Sequence, residues 1–406
     1  MSYIPKKTLE DLEFYDVLNQ ISKHAKTLIG KEQCQNIRPF DQCDENLLNS
    51  LDHVSEYRSS FDNENIIPDH FFNDFSNCFK LLEIENSILP IEVFKNISSA
   101  SETVNNLLSF FKKFKNYYSK IFLLGKEIEI NKEIKKTIND IIDPFDEIRD
   151  NASEKLKSLR NKIKSVQKEI GQSFQETLKK LNKLDYLDTI RESVIDNKRV
   201  LAVKSMHRKK INGRIAGSSK TGSIVFIEPE STFELSNILQ NLVFEESEEI
   251  RRILMDLTDY LRPKLDLIKS YHFYLIKIDT IYARAKYALQ INGILPKFSD
   301  KSELNLVKAY HPLLYIENGK GNKTTFPQDI RLSDKNRIVI ISGPNAGGKS
   351  ITLKTLGLLQ LMIQSSILIP VDVNSKICFF NKILTDIGDN QSIENQLSTY
   401  SYRIKK

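Results

Sequence analysis

Residues 338–353 read Ile-Val-Ile-Ile-Ser-Gly-Pro-Asn-Ala-Gly-Gly-Lys-Ser-Ile-Thr-Leu: a β-branched run, a glycine loop and the start of an apolar periodic segment. Gly343 to Ser350 matches the G-x-x-x-x-G-K-[ST] pattern at every fixed position. The run Ile338, Val339, Ile340 and Ile341 predicts a buried parallel strand. Ile351 to Gln364, with Leu353, Leu356, Leu359 and Leu361 as a stripe, predicts a helix whose N-terminus faces the loop. In such a loop Gly347 and Gly348 admit phosphate close to the backbone, and the amides from Asn345 to Ser350 point at its oxygens. Lys349 would neutralise β- and γ-phosphates and the Ser350 hydroxyl would hold Mg²⁺. The candidate nucleotide set is therefore Gly343, Pro344, Asn345, Ala346, Gly347, Gly348, Lys349 and Ser350, with ATP and Mg²⁺ as cofactors and Ser350 as metal ligand. A glycine turn ahead of a helix, with Lys349 merely exposed, is the plainer alternative.

Hydrolysis needs more than a cradle: an acid at the end of a neighbouring strand and a group that orients water. Downstream, only Ile383-Leu384-Thr385-Asp386 is an apolar run ending in acid, and no Asp-Glu pair follows it. With the sequence ending at Lys406, the expectation is an incomplete P-loop domain without its Walker B acids, in which nucleotide binding is better supported than turnover and no catalytic residue is assigned.

Working back toward the N-terminus, Leu9, Leu12, Tyr15, Val17, Leu18 and Ile21 recur at helical spacing, and similar runs continue to about residue 137 with breaks at Pro39, Pro68, Pro90 and Pro144. From Ala152, the positions Leu156, Leu159, Ile163, Val166, Ile170, Phe174, Leu178 and Leu181 step mostly by three and four, the seam of a long packed helix or coiled coil. An arm of that kind reaches ~45 Å. Val200 to Val203 and Ser223 to Ile227 are short strand-like runs, after which helical sequence resumes to about Leu289 with Pro263 as a kink. Leu304 to Lys308 and Ile330 to Leu332 are also strand-like.

The fold expected is mainly α, with an incomplete C-terminal α/β P-loop NTPase domain and a small β-rich clamp inserted between long helices. Its divisions are a helical core (1–147), a first lever helix (148–187), a basic clamp (188–229), a second lever helix returning to the core (230–295) and the N-terminal part of the P-loop domain (296–406). Two antiparallel helices packed only for stability are the alternative to levers.

Charge is unevenly spread. The chain has a net charge of +6, yet residues 151–222 hold 18 Lys or Arg against 7 Asp or Glu, a balance of +11 that leaves −5 for the remainder. Within this segment Lys198, Arg199, Arg208, Lys209, Lys210, Arg214 and Lys220 are interspersed with Gly213, Gly217 and Gly222, a pattern suited to phosphate contacts. These seven residues are the candidate nucleic-acid contacts; a merely solvated face is the alternative.

Length and composition exclude several other classes. The 406 residues suggest two to four domains, and 40% hydrophobic with 28% charged residues is ordinary globular composition. No apolar run approaches the ~20 residues of a membrane span, and Met1 to Glu10 lacks a signal-peptide pattern, so a cytoplasmic location is expected. Cys34, Cys43, Cys78 and Cys378 have no paired spacing and read as buried thiols, with no metal site specified.

Gly343 to Ser350 followed by Ile-Thr-Leu-Lys-Thr-Leu-Gly-Leu-Leu (351–359) resembles the ATPase of the MutS family, and more closely its second bacterial branch, whose members begin directly at the core helices. His311-Pro312-Leu313-Leu314 is similar to the family's segment before the nucleotide site, and Gly222 to Pro229 is similar to the branch's clamp region. Asp386-Ile387-Gly388-Asp389-Asn390-Gln391-Ser392-Ile393-Glu394, then Leu397-Ser398-Thr399, is similar to the segment ahead of the family's Walker B strand. The resemblance implies an ATP-controlled homodimeric clamp around DNA, branched forms included, or structured RNA, acting in DNA repair and recombination control, with Ser398 and Thr399 near the partner's nucleotide. The family's Walker B acids and the nuclease-type domain of many branch members fall beyond Lys406, so nuclease activity is not carried over. Phe145-Asp146-Glu147 and Phe174-Gln175-Glu176 have the Phe-x-Glu spacing of mismatch readers, but both sit in or beside the helical arm and neither is assigned that role. The competing readings are a non-catalytic fragment that binds a partner through its arms, and a chromosome-maintenance type of ATPase; the latter expects its nucleotide loop near the N-terminus.

Overall fold

The computed structural model describes residues 3–196, 198–299, 303–342 and 348–387. In chain order the α-helices are α1 (Lys6–Asp11), α2 (Phe14–Ser22), α3 (Leu28–Gln35), α4 (Glu45–Ser59), α5 (Asn77–Glu83), α6 (Ile91–Lys113), α7 (Ser119–Leu124), α8 (Glu133–Ile141), α9 (Glu154–Lys183), α10 (Glu230–Leu261), α11 (Leu265–Gln290), α12 (Pro312–Lys320) and α13 (Lys349–Gln364). The strands are β1 (Leu187–Ile195), β2 (Lys198–Lys204), β3 (Gly213–Ser218), β4 (Ile224–Pro229), β5 (Lys297–Phe298), β6 (Leu304–Ala309), β7 (Gln328–Leu332) and β8 (Lys376–Ile377). They form two compact units, one comprising residues 1–79, 96–135 and 265–406, the other residues 80–95 and 136–264.

Local chemistry starts many of these helices. The Thr27 side chain accepts from Gly30 N at α3, Asp44 from Leu47 N at α4, and Ser153 from Leu156 N at α9. Each satisfies one of the amides a helix N-terminus leaves without an intrahelical partner. Pro263 does more than kink: α10 stops at Leu261, residues 262–264 form a single tight turn, and α11 begins at Leu265. A ring that lacks an N–H and clashes with the preceding turn explains the break.

In the first unit α11 is the axis, burying Tyr271, Tyr274, Leu275, Ile278, Ala285 and Tyr287. Its Asp279 carboxylate is fully buried and accepts from Lys26 N (2.9 Å), Thr27 N (3.0 Å), Thr27 Oγ1 (2.6 Å) and His70 Nε2 (3.1 Å). That set of donors offsets the cost of placing a charge in the core. The same unit holds a sheet of order β5-β8-β6-β7, with β5 parallel to β8 and the other pairs antiparallel.

The second unit is built on α9 and α10. Ser153 bonds Glu249, Arg160 bonds Glu246, and Ser173 bonds the Ser231 carbonyl, so one helix rises in number as the other falls and the pair is antiparallel. Between them in sequence lies an antiparallel sheet of order β1-β2-β4-β3. Its inner face packs Leu187, Leu201, Val203, Val225 and Ile227 against Phe174 and Leu181 of α9. Full burial of each such side chain contributes about 1.5–3 kcal/mol. Gly213 lies so close to β4 that an added Cβ would fall 2.3 Å from the Glu228 carbonyl oxygen, so β3 pairs there only with glycine.

Two expectations are corrected. Arg337 to Ile341 forms no strand, and Ile338 and Ile340 are 81% and 87% exposed. A parallel strand is held by neighbours on both edges and helices on both faces. No described strand pairs with this run, so the described residues do not form a complete P-loop domain. The described residues are mainly helical with two small sheets. Of the four thiols, Cys34, Cys78 and Cys378 are buried, but Cys43 is exposed in the segment before α4.

Candidate functional site

α13 opens at Gly348, which caps it in the left-handed conformation at φ 81°; a Cβ added there would meet nothing within 4 Å. A side chain is disfavoured at this position by the backbone itself, at about 1–2 kcal/mol. The first turn contains no acidic residue and Ser350 is exposed. The amides of that turn carry the positive end of the helix dipole and have no acceptor within the helix. Gly348, Lys349 and Ser350 thus suit an anionic phosphate with an associated Mg²⁺. Gly343, Pro344, Asn345, Ala346 and Gly347 lie outside the described residues, as do Ser398 and Thr399.

The far end of α13 is anchored firmly. Leu358, Leu359, Leu361, Met362 and Ile363 are fully buried. Phe40 N donates to the Gln364 carbonyl at 2.8 Å, Gln360 Nε2 to the Cys378 carbonyl at 2.9 Å, and Phe380 N to Gln364 Oε1 at 3.0 Å. Just beyond the helix, the Ser366 carbonyl accepts from the buried Arg284 guanidinium at 3.3 Å. Burial pulls the Arg284 pKa down to about 10, which leaves it charged at neutral pH. Midway, Lys354 Nζ donates to Glu13 Oε1 at 2.5 Å. The N-terminal end of α13 is therefore carried on a helix whose other end is fixed in the core.

His311, of the segment before the loop, is buried, and desolvation holds its imidazole below the ordinary histidine range, hence neutral at pH 7. Beside α13 runs an apolar groove of about 360 Å³ lined by Leu12, Leu304, Leu332, Leu353, Phe380 and Ile383, among others. The run Ile383 to Asp386 is not a strand; it lines this groove, with Thr385 Oγ1 donating to Asp11 Oδ2 at 2.8 Å.

The basic candidates divide into two groups. Arg208, Lys209 and Lys210 share one 3₁₀ turn (Ser205–Lys210), Arg214 lies on β3 and Lys220 in the β3–β4 turn, all exposed. Lys198 and Arg199, on β2, are half-buried and internally engaged. Lys198 Nζ donates to the buried Glu228 Oε2 at 3.1 Å, while Arg199 pairs with Glu192 at 2.5 Å and lies 4.3 Å from the centre of the Phe174 ring. Register brings Arg214 opposite Glu228 as well. Five cations therefore face outward and two hold the sheet together. Phe174 is fully buried in that same core, which accounts for its place in the sequence, whereas Phe145 is exposed.

Sequence reasoning overlooked Tyr186 and His207. Their rings stack at 4.5 Å and 21°, with Lys210 Nζ 5.2 Å over Tyr186. The signal was weak, because the register between them passes through an irregularity in the β1–β2 pairing. Among the described residues there is no cluster of three metal-ligating side chains and no helix long and apolar enough to cross a membrane.

Residues 339–406 match the family model described as MutS domain V. Over 424 residues the chain is 34% identical to Endonuclease MutS2 of Finegoldia magna, covering 98% of this chain and 50% of that protein. Endonuclease MutS2 of Caldicellulosiruptor bescii is 31% identical over 404 residues, and Putative endonuclease MutS2 of Bacillus subtilis 31% over 399, each again covering 98% of this chain and 50% of the relative. The chain spans about half the length of the curated relatives it matches.

Proposed function

This chain belongs to the MutS family, and from that premise we propose that it is a nucleotide-switched DNA clamp serving DNA repair and recombination control in the cytoplasm. ATP sits at Gly343 to Ser350, with Lys349 on the β- and γ-phosphates and Ser350 on Mg²⁺. Nucleotide closes a homodimer around DNA, Ser398 and Thr399 reaching the partner's nucleotide, and the outward cations Arg208, Lys209, Lys210, Arg214 and Lys220 grip the backbone. The proposal divides the chain as core, lever, clamp, lever and P-loop region. The endonuclease activity in the relatives' names stays with those longer proteins.

The observation that carries this reading is the start of α13: a left-handed glycine, a lysine and an exposed serine at the head of a 16-residue helix rooted in the core. The test is thermal unfolding with and without ATP and Mg²⁺. A ligand bound to the native state at a hundredfold over its Kd contributes about 2.7 kcal/mol of apparent stability. Lys349→Ala should lower ATP affinity at least about tenfold, the loss of roughly one strong charged contact. Unchanged affinity in that variant removes the nucleotide assignment.

The exposure of Ile338 and Ile340 favours a second reading, in which the chain binds a partner through its helices and takes no nucleotide. It predicts no stabilisation by ATP with Mg²⁺ at any concentration.

A further inference from the structure

Three of the outward cations share a turn with the most exposed large apolar side chain of the β1–β4 sheet region, where Ile190, Val194 and Ile215 are exposed to a lesser degree. Met206 is 79% exposed, on the same 3₁₀ turn as Arg208, Lys209 and Lys210. A solitary exposed methionine is ordinary in a folded protein. What sets this one apart is the turn beneath it. Ser205 N donates to the Ser223 carbonyl at 3.0 Å, the Ser205 hydroxyl donates to the Gly222 carbonyl, and Lys204 N donates to the Tyr186 carbonyl at 3.0 Å. His207, the next residue, stacks on Tyr186, which packs against the clamp core.

The turn is thus ordered before any ligand arrives, and His207 is drawn inward while Met206 is left outside. The Arg208 and Lys209 side chains are exposed and have no hydrogen-bond or ion-pair partner among the described residues. Neighbouring cations supply the phosphate contacts that hold a duplex against such a turn. An apolar side chain presented from a basic, ordered surface is the means by which proteins part a base step and kink DNA. Methionine suits the role, being unbranched and able to conform to an irregular gap.

We infer that Met206 is a wedge that enters a weakly stacked base step of duplex DNA while Arg208, Lys209 and Lys210 hold the flanking phosphates. The inference rests on the clamp reading above and adds a preference to it: pyrimidine–purine steps and junctions, which unstack most readily, are favoured over stiff tracts.

The test uses the full chain and duplexes carrying 2-aminopurine beside a central TA step or at a three-way junction, since that base brightens when unstacked. Wild-type protein raises the fluorescence on binding. Met206→Ala keeps duplex affinity within about threefold, as expected when phosphate contacts are untouched, and keeps the salt dependence, but loses the fluorescence rise; Met206→Leu restores it. Arg208→Glu with Lys209→Glu instead weakens binding and flattens the salt dependence. An equal rise with Met206→Ala, or tight wild-type binding with no rise, overturns the wedge and leaves the clamp standing. A rise on duplex RNA alone overturns the DNA assignment, and absence of any duplex binding overturns clamp and wedge together.

Discussion

Val200-Leu201-Ala202-Val203 and Ile338-Val339-Ile340-Ile341 are four-residue apolar runs of nearly the same character. Every residue of the first is fully buried, whereas Ile338, Val339 and Ile340 of the second are 81%, 46% and 87% exposed. Composition does not separate them; pairing does. The first run is the middle of β2, held on one edge by β1 and on the other by β4, both close in sequence. Closing short loops costs little, so local antiparallel strands find each other readily. Parallel strands need crossover connections and more distant partners, and no described strand supplies one for residues 338–341.

The largest effect that sharpens this contrast is expected at Leu201. It lies on an inner strand opposite Ile227, in the core with Phe174 and Val203. Leu201→Ala should cost about 2–5 kcal/mol through lost burial and the cavity left behind. Hydrogen exchange of the β2 and β4 amides reads that loss directly. Protection lowered by less than about 1 kcal/mol would show the β1–β4 sheet to be loosely packed, and the contrast would fail at its strong end.

A second effect tests how α9 and α10 are held together. Glu249 of α10 is 1% exposed and accepts from Arg252 at 2.7 Å and from Ser153 at the start of α9 at 2.7 Å, with Lys155 at 3.4 Å. The hydrogen bond from Arg252, with help from Ser153 and Lys155, takes its pKa from 4.5 down to about 2. A depressed carboxylate pKa contributes stability that is fully present above the unfolded value and is lost as pH falls through the folded one. The window is therefore about pH 4.5 to 2. The shift is worth about 3 kcal/mol at 1.36 kcal/mol per unit, and screening through the half-exposed Arg252 and Lys155 reduces it to about 2 kcal/mol. Glu249→Gln should remove that part of the acid sensitivity, as followed by helical circular dichroism. An unchanged acid profile would show that the helix pair does not depend on this carboxylate.

Much of the molecule was legible from local periodicity. In the α9 seam, Leu156, Leu159, Ile163, Phe174 and Leu181 are buried as their spacing predicts, because a helix carries its own period. The break at Pro263 was legible for a similar reason, since the ring acts within one turn. The candidate sites were legible only in part. A count of cations treats Lys198 and Lys209 alike, and strand register separates them: Lys198 meets Glu228 across the sheet, while Arg208 and Lys209 meet solvent. The contact that makes the difference joins residues 30 apart, which spacing alone does not reveal.

The smallest expected effect is at the weak end of the comparison. Ile338→Ser with Ile340→Ser removes two large apolar side chains that already face solvent, so nothing is taken out of a core. Surface substitutions of this kind change stability within about 0.5 kcal/mol each. Urea unfolding of the ligand-free chain should show the same midpoint and the same slope as wild type, since neither the buried area nor the exposed area of the native state is altered appreciably. A cost above about 2 kcal/mol has only one source in side chains of this size, namely burial. That result would mean the run is covered in solution, as a strand or against a second copy, and the contrast with β2 would then be one of partners gained on assembly and no longer of partners lacking.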